Sequence, residues 1–151
     1  MSDQFIVLVP EEQSKRPSRD TLDMLVAAHR RVTESEAVRL KDFGERLQFI
    51  DCGDNFESIS CPSCNAPLET HWWGHQMDHC WDEEVGFDHH AHALPCCGVP
   101  LSLDRLTYTP MQAFAHWFVS ARTDRKALTE GEMASLESIA GFPLKVIYQR
   151  Y

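Results

Sequence analysis

Between residues 61 and 100 there is no lysine and no arginine. That stretch has nothing with which to neutralise phosphate groups. The chain as a whole carries a net charge of −9, from 14 basic and 23 acidic residues. Nucleic-acid binding runs on Lys and Arg contacts to the phosphate backbone, so no nucleic-acid partner is expected. Long apolar runs are missing too. None approaches the roughly 20 residues that cross a bilayer. The longest, Phe5-Ile6-Val7-Leu8-Val9, is closed by Pro10 and lacks the basic flank of a signal peptide. The expectation is a cytoplasmic protein with no membrane partner. No HExxH or comparable catalytic signature occurs, and no internal repeat is read at the residue level.

What is present is concentrated. The same residues 61–100 hold five of the six cysteines, six of the eight histidines, three of the four tryptophans and six acidic side chains. In a reducing compartment, cysteines at this density point to metal binding or thiol chemistry before disulfides. With 151 residues, 43% of them hydrophobic, the chain is long enough for one domain with a core of its own. The expected organisation is a single domain over 1–151 with a zinc-binding insertion at 61–100.

The flanks read as alternating strands and helices. Residues 5–9 form a short buried strand. Ser18 opens a helix with Leu22, Leu25, Val26, His29 and Val32 on one stripe. Thr33 and Glu36 have capping-box spacing, which predicts a second short helix with Ala37, Val38, Leu40 and Phe43 inward, stopped by Gly44. Residues 46–51 read as a strand, and so do 101–108. Thr109-Pro110 predicts a helix start, with Met111, Phe114, Ala115 and Phe118 at helical spacing. A capping box from Thr129 to Glu132 opens a helix ended by Gly141, and residues 144–151 alternate as a half-buried strand. The predicted class is α+β: a mixed or antiparallel sheet of four to five strands with helices on one face, split-βαβ-like, interrupted by a zinc-ribbon-like insertion.

Cys61-Pro62-Ser63-Cys64 is a CPxC turn, in which two thiolates three apart face one ion. Its partner is Leu94-Pro95-Cys96-Cys97-Gly98. A regular second knuckle would carry cysteine at 94 and 97, followed by glycine. Here Gly98 is in place, but position 94 is leucine, so Cys96 supplies the fourth thiolate from a neighbouring position. The predicted zinc ligands are Cys61, Cys64, Cys96 and Cys97. A thioredoxin-type redox reading of CPxC requires a following helix, which Pro67 blocks. His71, His75 and His79 make one stripe if residues 71–83 are helical. His89, His90 and His92 precede the cysteine pair. Any of these three stands as an alternative to Cys96, or joins Asp78 or Asp82 in a second site. Cys52 and Cys80 have no partner at ligand spacing. Trp72, Trp73 and Trp81 serve either as core for the insertion or, with Asp82, Glu83 and Glu84, as a protein-contact surface.

The pattern CPSC…ALPCCGVPLSLDRLTY…PMQAFAHWFVSA…LESIAGFPLKVIYQRY resembles a group of small uncharacterised bacterial zinc-ribbon-containing proteins over the last ninety or so residues. The size and acidity are also similar to those of immunity proteins that neutralise secreted or contact-dependent toxins. The resemblance implies a zinc-stabilised, non-catalytic binding module with a protein partner, most concretely a basic toxin. Two alternatives stand beside it. One is a metal-dependent enzyme built on His71, His75 and His79, with Glu83 or Glu84 as acid–base group. The other is a zinc-ribbon regulatory protein.

Overall fold

The computed structural model describes residues 2–151. The chain is α+β. In order it forms β1 (Gln4–Pro10), α1 (Arg19–Thr33), β2 (Val38–Asp42), β3 (Gln48–Ile50), β4 (Ser58–Ser60), β5 (Pro67–Leu68) and α2 (Thr70–Cys80). Then come β6 (Trp81–Asp82), β7 (Gly86–Phe87), β8 (His92–Ala93), β9 (Pro100–Leu101), a 3-10 turn at Leu103–Arg105 and β10 (Thr107–Thr109). The chain ends with β11 (Ala113–Ala115), β12 (Trp117–Arg122), α3 (Glu130–Ala140) and β13 (Leu144–Arg150).

Four strands make the main sheet in the order β13-β1-β12-β2, with antiparallel pairing throughout. Period-two alternation divides its side chains between two faces. Leu8, Trp117, Val119 and Leu144 point to one face and are covered by Leu22, Leu25 and Ala28 of α1 and Leu136 and Ala140 of α3. Val7, Val9 and Ile147 point to the other face, where Ile50, Cys52, Ala113 and Ala115 of the β3–β11 region cover them. β1 is therefore buried on both faces, which is why it reads as an unbroken apolar run. His29 sits inside the α1 face with its Nε2 2.9 Å from the Ile6 carbonyl. Burial pushes its pKa down. A neutral ring donating Nε2–H to that carbonyl is the arrangement a buried imidazole needs.

Two predicted helices are strands. At residues 33–43, Thr33 does not open a helix. Its hydroxyl donates to the His29 carbonyl at 2.6 Å and closes α1, and Glu34 follows in the left-handed conformation (φ 54°). Val38 and Leu40 then alternate on β2, opposite Ala121 and Val119 of β12. Beyond Thr109-Pro110, the apolar residues are split between β11, where Phe114 lies opposite Phe49, and β12, buried on both faces. A strand covered on both sides shows no alternation, so its apolar run imitates helical spacing. The stretch 101–108 is two short strands around the 3-10 turn rather than one.

The α3 capping box forms as read. Thr129 Oγ1 accepts the Glu132 amide at 3.1 Å, and Glu132 Oε1 accepts the Thr129 amide at 2.8 Å. Arg125 adds two 2.7 Å hydrogen bonds to the same carboxylate. Those Arg125 bonds, followed by the Thr129 amide, hold Glu132 down at about 2. The unfolded chain protonates this group in the ordinary carboxylate range, and the folded chain only near 2. The stabilisation is therefore complete above the ordinary range and is lost as pH falls through it toward 2. Thr129→Ala is expected to cost about 1 kcal/mol in denaturant unfolding at neutral pH. Glu132→Gln is expected to lower the melting temperature at pH 7 and to converge with wild type as the pH is taken toward 2, measured by circular dichroism.

Candidate metal centre

The four cysteines proposed from spacing, Cys61, Cys64, Cys96 and Cys97, sit on two hairpin turns of matching build. In the first, β4 and β5 pair Ser60 with Pro67 and Ile59 with Leu68. In the second, β8 and β9 pair Ala93 with Pro100 and His92 with Leu101. The turn hydrogen bonds correspond one for one. Asn65 donates to Cys61 O at 2.8 Å and Cys61 to Ala66 O at 2.9 Å; Gly98 donates to Leu94 O at 2.8 Å and Leu94 to Val99 O at 3.0 Å. The residue after the last cysteine is left-handed in both, Asn65 at φ 62° and Gly98 at φ 75°. The two turns stand 33 positions apart, so Cys61 corresponds to Leu94, Ser63 to Cys96 and Cys64 to Cys97. This is an internal repeat that the residue-level reading missed. Its signal was the shared spacing P-x-C-x-x-P-L at 62–68 and 95–101.

The repeat explains the irregular second knuckle. Position 94 is buried in the same core as Cys61, and leucine there fills space without contributing a sulfur. The missing ligand is made up one residue before Cys97. All four sulfurs, of Cys61, Cys64, Cys96 and Cys97, lie within 4.8 Å of one another. Cys61 and Cys97 are 3.8 Å apart and Cys96 and Cys97 3.9 Å apart. A tetrahedral ion with bonds of about 2.3 Å to sulfur sets an edge of about 3.8 Å, so the donor set fits such an ion in spacing and in chemistry.

Electrostatics favour the same conclusion. The amides of Cys64 and Ser63 point at Cys61 Sγ, the Ser63 amide at 3.3 Å, and they hold that thiol down at about 7. Cys96 is pushed up to about 12, first by loss of solvent around its sulfur and then by the neighbouring sulfurs. Four thiolates in so small a volume repel one another, and a bound cation is what permits all four to ionise.

The histidines do not build a second centre of this kind. His71, His75 and His79 lie along α2 with exposed side chains. Among the described residues, no other group of three or more His, Cys, Asp or Glu side chains converges. His89 instead faces Asp104 Oδ2 at 3.5 Å. Cys80, which has no partner at ligand spacing in the sequence, does have one in space: His92 Nε2 lies 3.1 Å from its sulfur. This contact ties the end of α2 to β8. Burial raises the Cys80 pKa and lowers that of His92, so both are neutral and the contact is a hydrogen bond, not an ion pair. Cys52 is a fully buried thiol of the sheet core, its pKa also raised by burial.

Trp72 and Trp73 pack as core. Trp73 stands edge-on to Phe49 at 5.5 Å and donates its Nε1–H to Tyr108 Oη at 3.0 Å. Trp81 is different, at 37% exposed, and begins the β6–β7 hairpin that also displays Asp82, Glu83, Glu84 and Val85. Asp82 shapes this hairpin by accepting the amides of Glu84 and Val85 at 2.8 and 3.1 Å. Gly86, at φ 75°, locks the hairpin against Leu47. A Cβ at that position would sit 2.2 Å from the Leu47 carbonyl oxygen. No helix among the described residues is long and apolar enough to cross a membrane. Compared with known proteins, the chain matches no family model, no curated protein and no solved structure.

Replacing one sulfur should therefore be felt in both metal content and folding. Cys61→Ser and Cys97→Ser are expected to lose bound metal and to lower the melting temperature; unchanged values for both in Cys97→Ser would remove it from the ligand set. Protons compete for the sulfurs: Cys96 is protonated in the metal-free state up to about 12, so metal affinity is expected to fall with pH across the whole neutral range, and by one proton more steeply below about 7, where Cys61 also takes up its proton. A chromogenic chelator titration across pH reads this directly.

Proposed function

We propose that the chain is a zinc-stapled, non-catalytic protein-binding module, and that its acidic β6–β7 hairpin is the docking surface. The observation that carries this reading is the closed donor set: four cysteine sulfurs within 4.8 Å of one another. Four thiolates complete a zinc tetrahedron and leave no position for substrate or water, as befits a structural ion and not a catalytic one. Zinc is the ion best suited to four thiolates in this geometry.

The surface that the centre supports then becomes the functional candidate. Trp81 and Val85 are exposed at 37% and 60%, beside Asp82, Glu83 and Glu84, in a segment with no lysine or arginine of its own; the one guanidinium bonded to the hairpin is that of Arg46, which donates to the Glu83 carbonyl at 3.0 Å. Aromatic anchors with a charged rim are how protein interfaces concentrate affinity and speed encounter. The complementary partner is a basic protein. Its most concrete form is a toxin, with this chain as the immunity protein. That version rests on size, acidity and the resemblance to small bacterial zinc-ribbon proteins, and it predicts neutralisation by masking a basic surface.

Three measurements test the proposal. Co-expression with a basic toxin encoded in the adjoining gene should restore growth, and the purified pair should form a stoichiometric complex. Trp81→Ala should weaken that complex by about 2 kcal/mol, as for a hot-spot aromatic. Glu83→Lys with Glu84→Lys should slow association and reverse its salt dependence. The competing enzyme reading requires a second, histidine-dependent ion. One zinc per chain, retained when His71, His75 and His79 are replaced together, counts against it; a second ion lost in that variant revives it.

A further inference from the structure

Three side-chain polar atoms among the described residues are unpaired and shut off from solvent: His29 Nδ1, Asp104 Oδ1 and Gln112 Nε2. No ligand reaches them without opening the fold. Ser120 of β12 is placed differently. The residue is 5% exposed, and its hydroxyl makes no hydrogen bond among the described residues, yet that oxygen is not one of the sealed atoms. The little surface that Ser120 shows belongs to a recess of about 320 Å³ on the main sheet. This volume is at the small end of ligand sites.

The recess follows from the order of the strands. Leu40 and Val119 turn toward the helices, so by alternation Arg39, Phe118 and Ser120 turn to the opposite face. There the β3–β11 region covers Val7, Val9 and Ile147. The remainder, toward β2, stays open. Ser120 lies opposite Val7 of β1 on one side and Arg39 of β2 on the other. A serine among larger side chains lowers the floor. Two aromatic pairs stand around it, Phe43 with Phe118 at 5.8 Å and Phe5 with Tyr151 at 6.3 Å.

The two ends differ in charge. Arg39, on the β2 side, places its guanidinium 5.7 Å from the centre of the Phe118 ring and is in no ion pair among the described residues. Residues directly opposite in an antiparallel pair hold their Cβ atoms about 4.5–5.5 Å apart. The Ser120 hydroxyl and the Arg39 fork therefore both reach one carboxylate. On the β13 side, Asp51 Oδ2 accepts the Tyr151 hydroxyl at 2.6 Å and the Gly53 amide at 3.0 Å. That end repels a second negative charge.

We propose that this recess binds a small aromatic carboxylate of one or two rings. Its carboxylate bridges Arg39 and Ser120, and its ring lies between the two aromatic pairs. Guanidinium and carboxylate match as fork to fork, and aromatic walls favour a ring over an aliphatic chain. A neutral aromatic leaves Arg39 unanswered, and an aliphatic acid leaves the walls poorly filled. The recess lies on the sheet, apart from the cysteine cluster and the β6–β7 hairpin, and the inference does not rest on the docking proposal.

The test is a titration of the full zinc-loaded chain followed by amide NMR shifts. The probes are indole-3-acetate, indole-3-acetamide, which lacks the charge, and hexanoate, which lacks the ring. Indole-3-acetate is expected to shift the amides of residues 39, 118–120 and 149–151 with a Kd at or below roughly 1 mM. The other two are expected to bind at least about tenfold more weakly. Arg39→Gln removes an exposed cation and Ser120→Ala an unbonded hydroxyl, so neither takes a hydrogen bond from the fold. The first is expected to weaken indole-3-acetate about tenfold and the second about fivefold. The proposal is overturned if indole-3-acetate at up to roughly 10 mM leaves those amides unmoved. It is equally overturned if the amide or hexanoate binds as well, or if Arg39→Gln binds like wild type.

Discussion

Mutual repulsion among four sulfurs is the constraint on which the cysteine-rich half depends. Within 4.8 Å of one another, Cys61, Cys64, Cys96 and Cys97 cannot all be thiolates without a cation between them. The protein meets this in two ways. Backbone amides of the first turn favour the charged form of Cys61. Hydrogen-bonded turns of the same build bring both pairs in from opposite sides. Bringing them together closes a loop that contains α2 and the β6–β7 hairpin. The core under that loop joins aliphatic side chains, Leu47, Ile59, Leu68, Leu94, Leu103 and Leu106 among them, to an aromatic group in which Phe49 and Tyr108 each touch Trp73 and Phe114. An ion held by the four sulfurs would act at the ends of the same segment that this cluster supports along its length.

The main sheet has a different basis. β1 is covered on both faces and lies between β12 and β13, so its stability comes from apolar burial and from antiparallel ladders on both edges. α1 and α3 need little more than their apolar stripes and caps to dock there. The cores on the two faces of the sheet contain none of the four clustered cysteines, so removal of a metal held there is expected to loosen the cysteine-rich half first and the sheet second.

Legibility in the sequence followed the same division. α1, α3, β1 and β13 were readable because their caps and periods are local: Ser18, the Thr129–Glu132 box, Gly141 and Pro10 act within a few residues. β2 and β12 were misread because what decides them is a partner strand nearly eighty residues away, and β12 hides its alternation by burial on both faces. The four sulfurs were identified from spacing. What spacing did not show was why Cys96 replaces a ligand at 94; that required the hydrogen bonds of the two turns side by side. The pairing of Cys80 with His92 and the unpartnered atoms of Asp104 and Gln112 are products of tertiary folding alone, and no local pattern announces them.

The near-repeat of the two turns has one further meaning. Each turn is a self-contained hairpin, and an ion held between them would anchor the chain between residues 69 and 91 at both ends. The same segment is also seated along its length, by Met77 and Cys80 in the core and by Gly86 against Leu47. Change is therefore cheap only at its exposed positions, among them His71, His75, Glu83 and Val85, so what the loop displays can vary while the residues that seat it cannot.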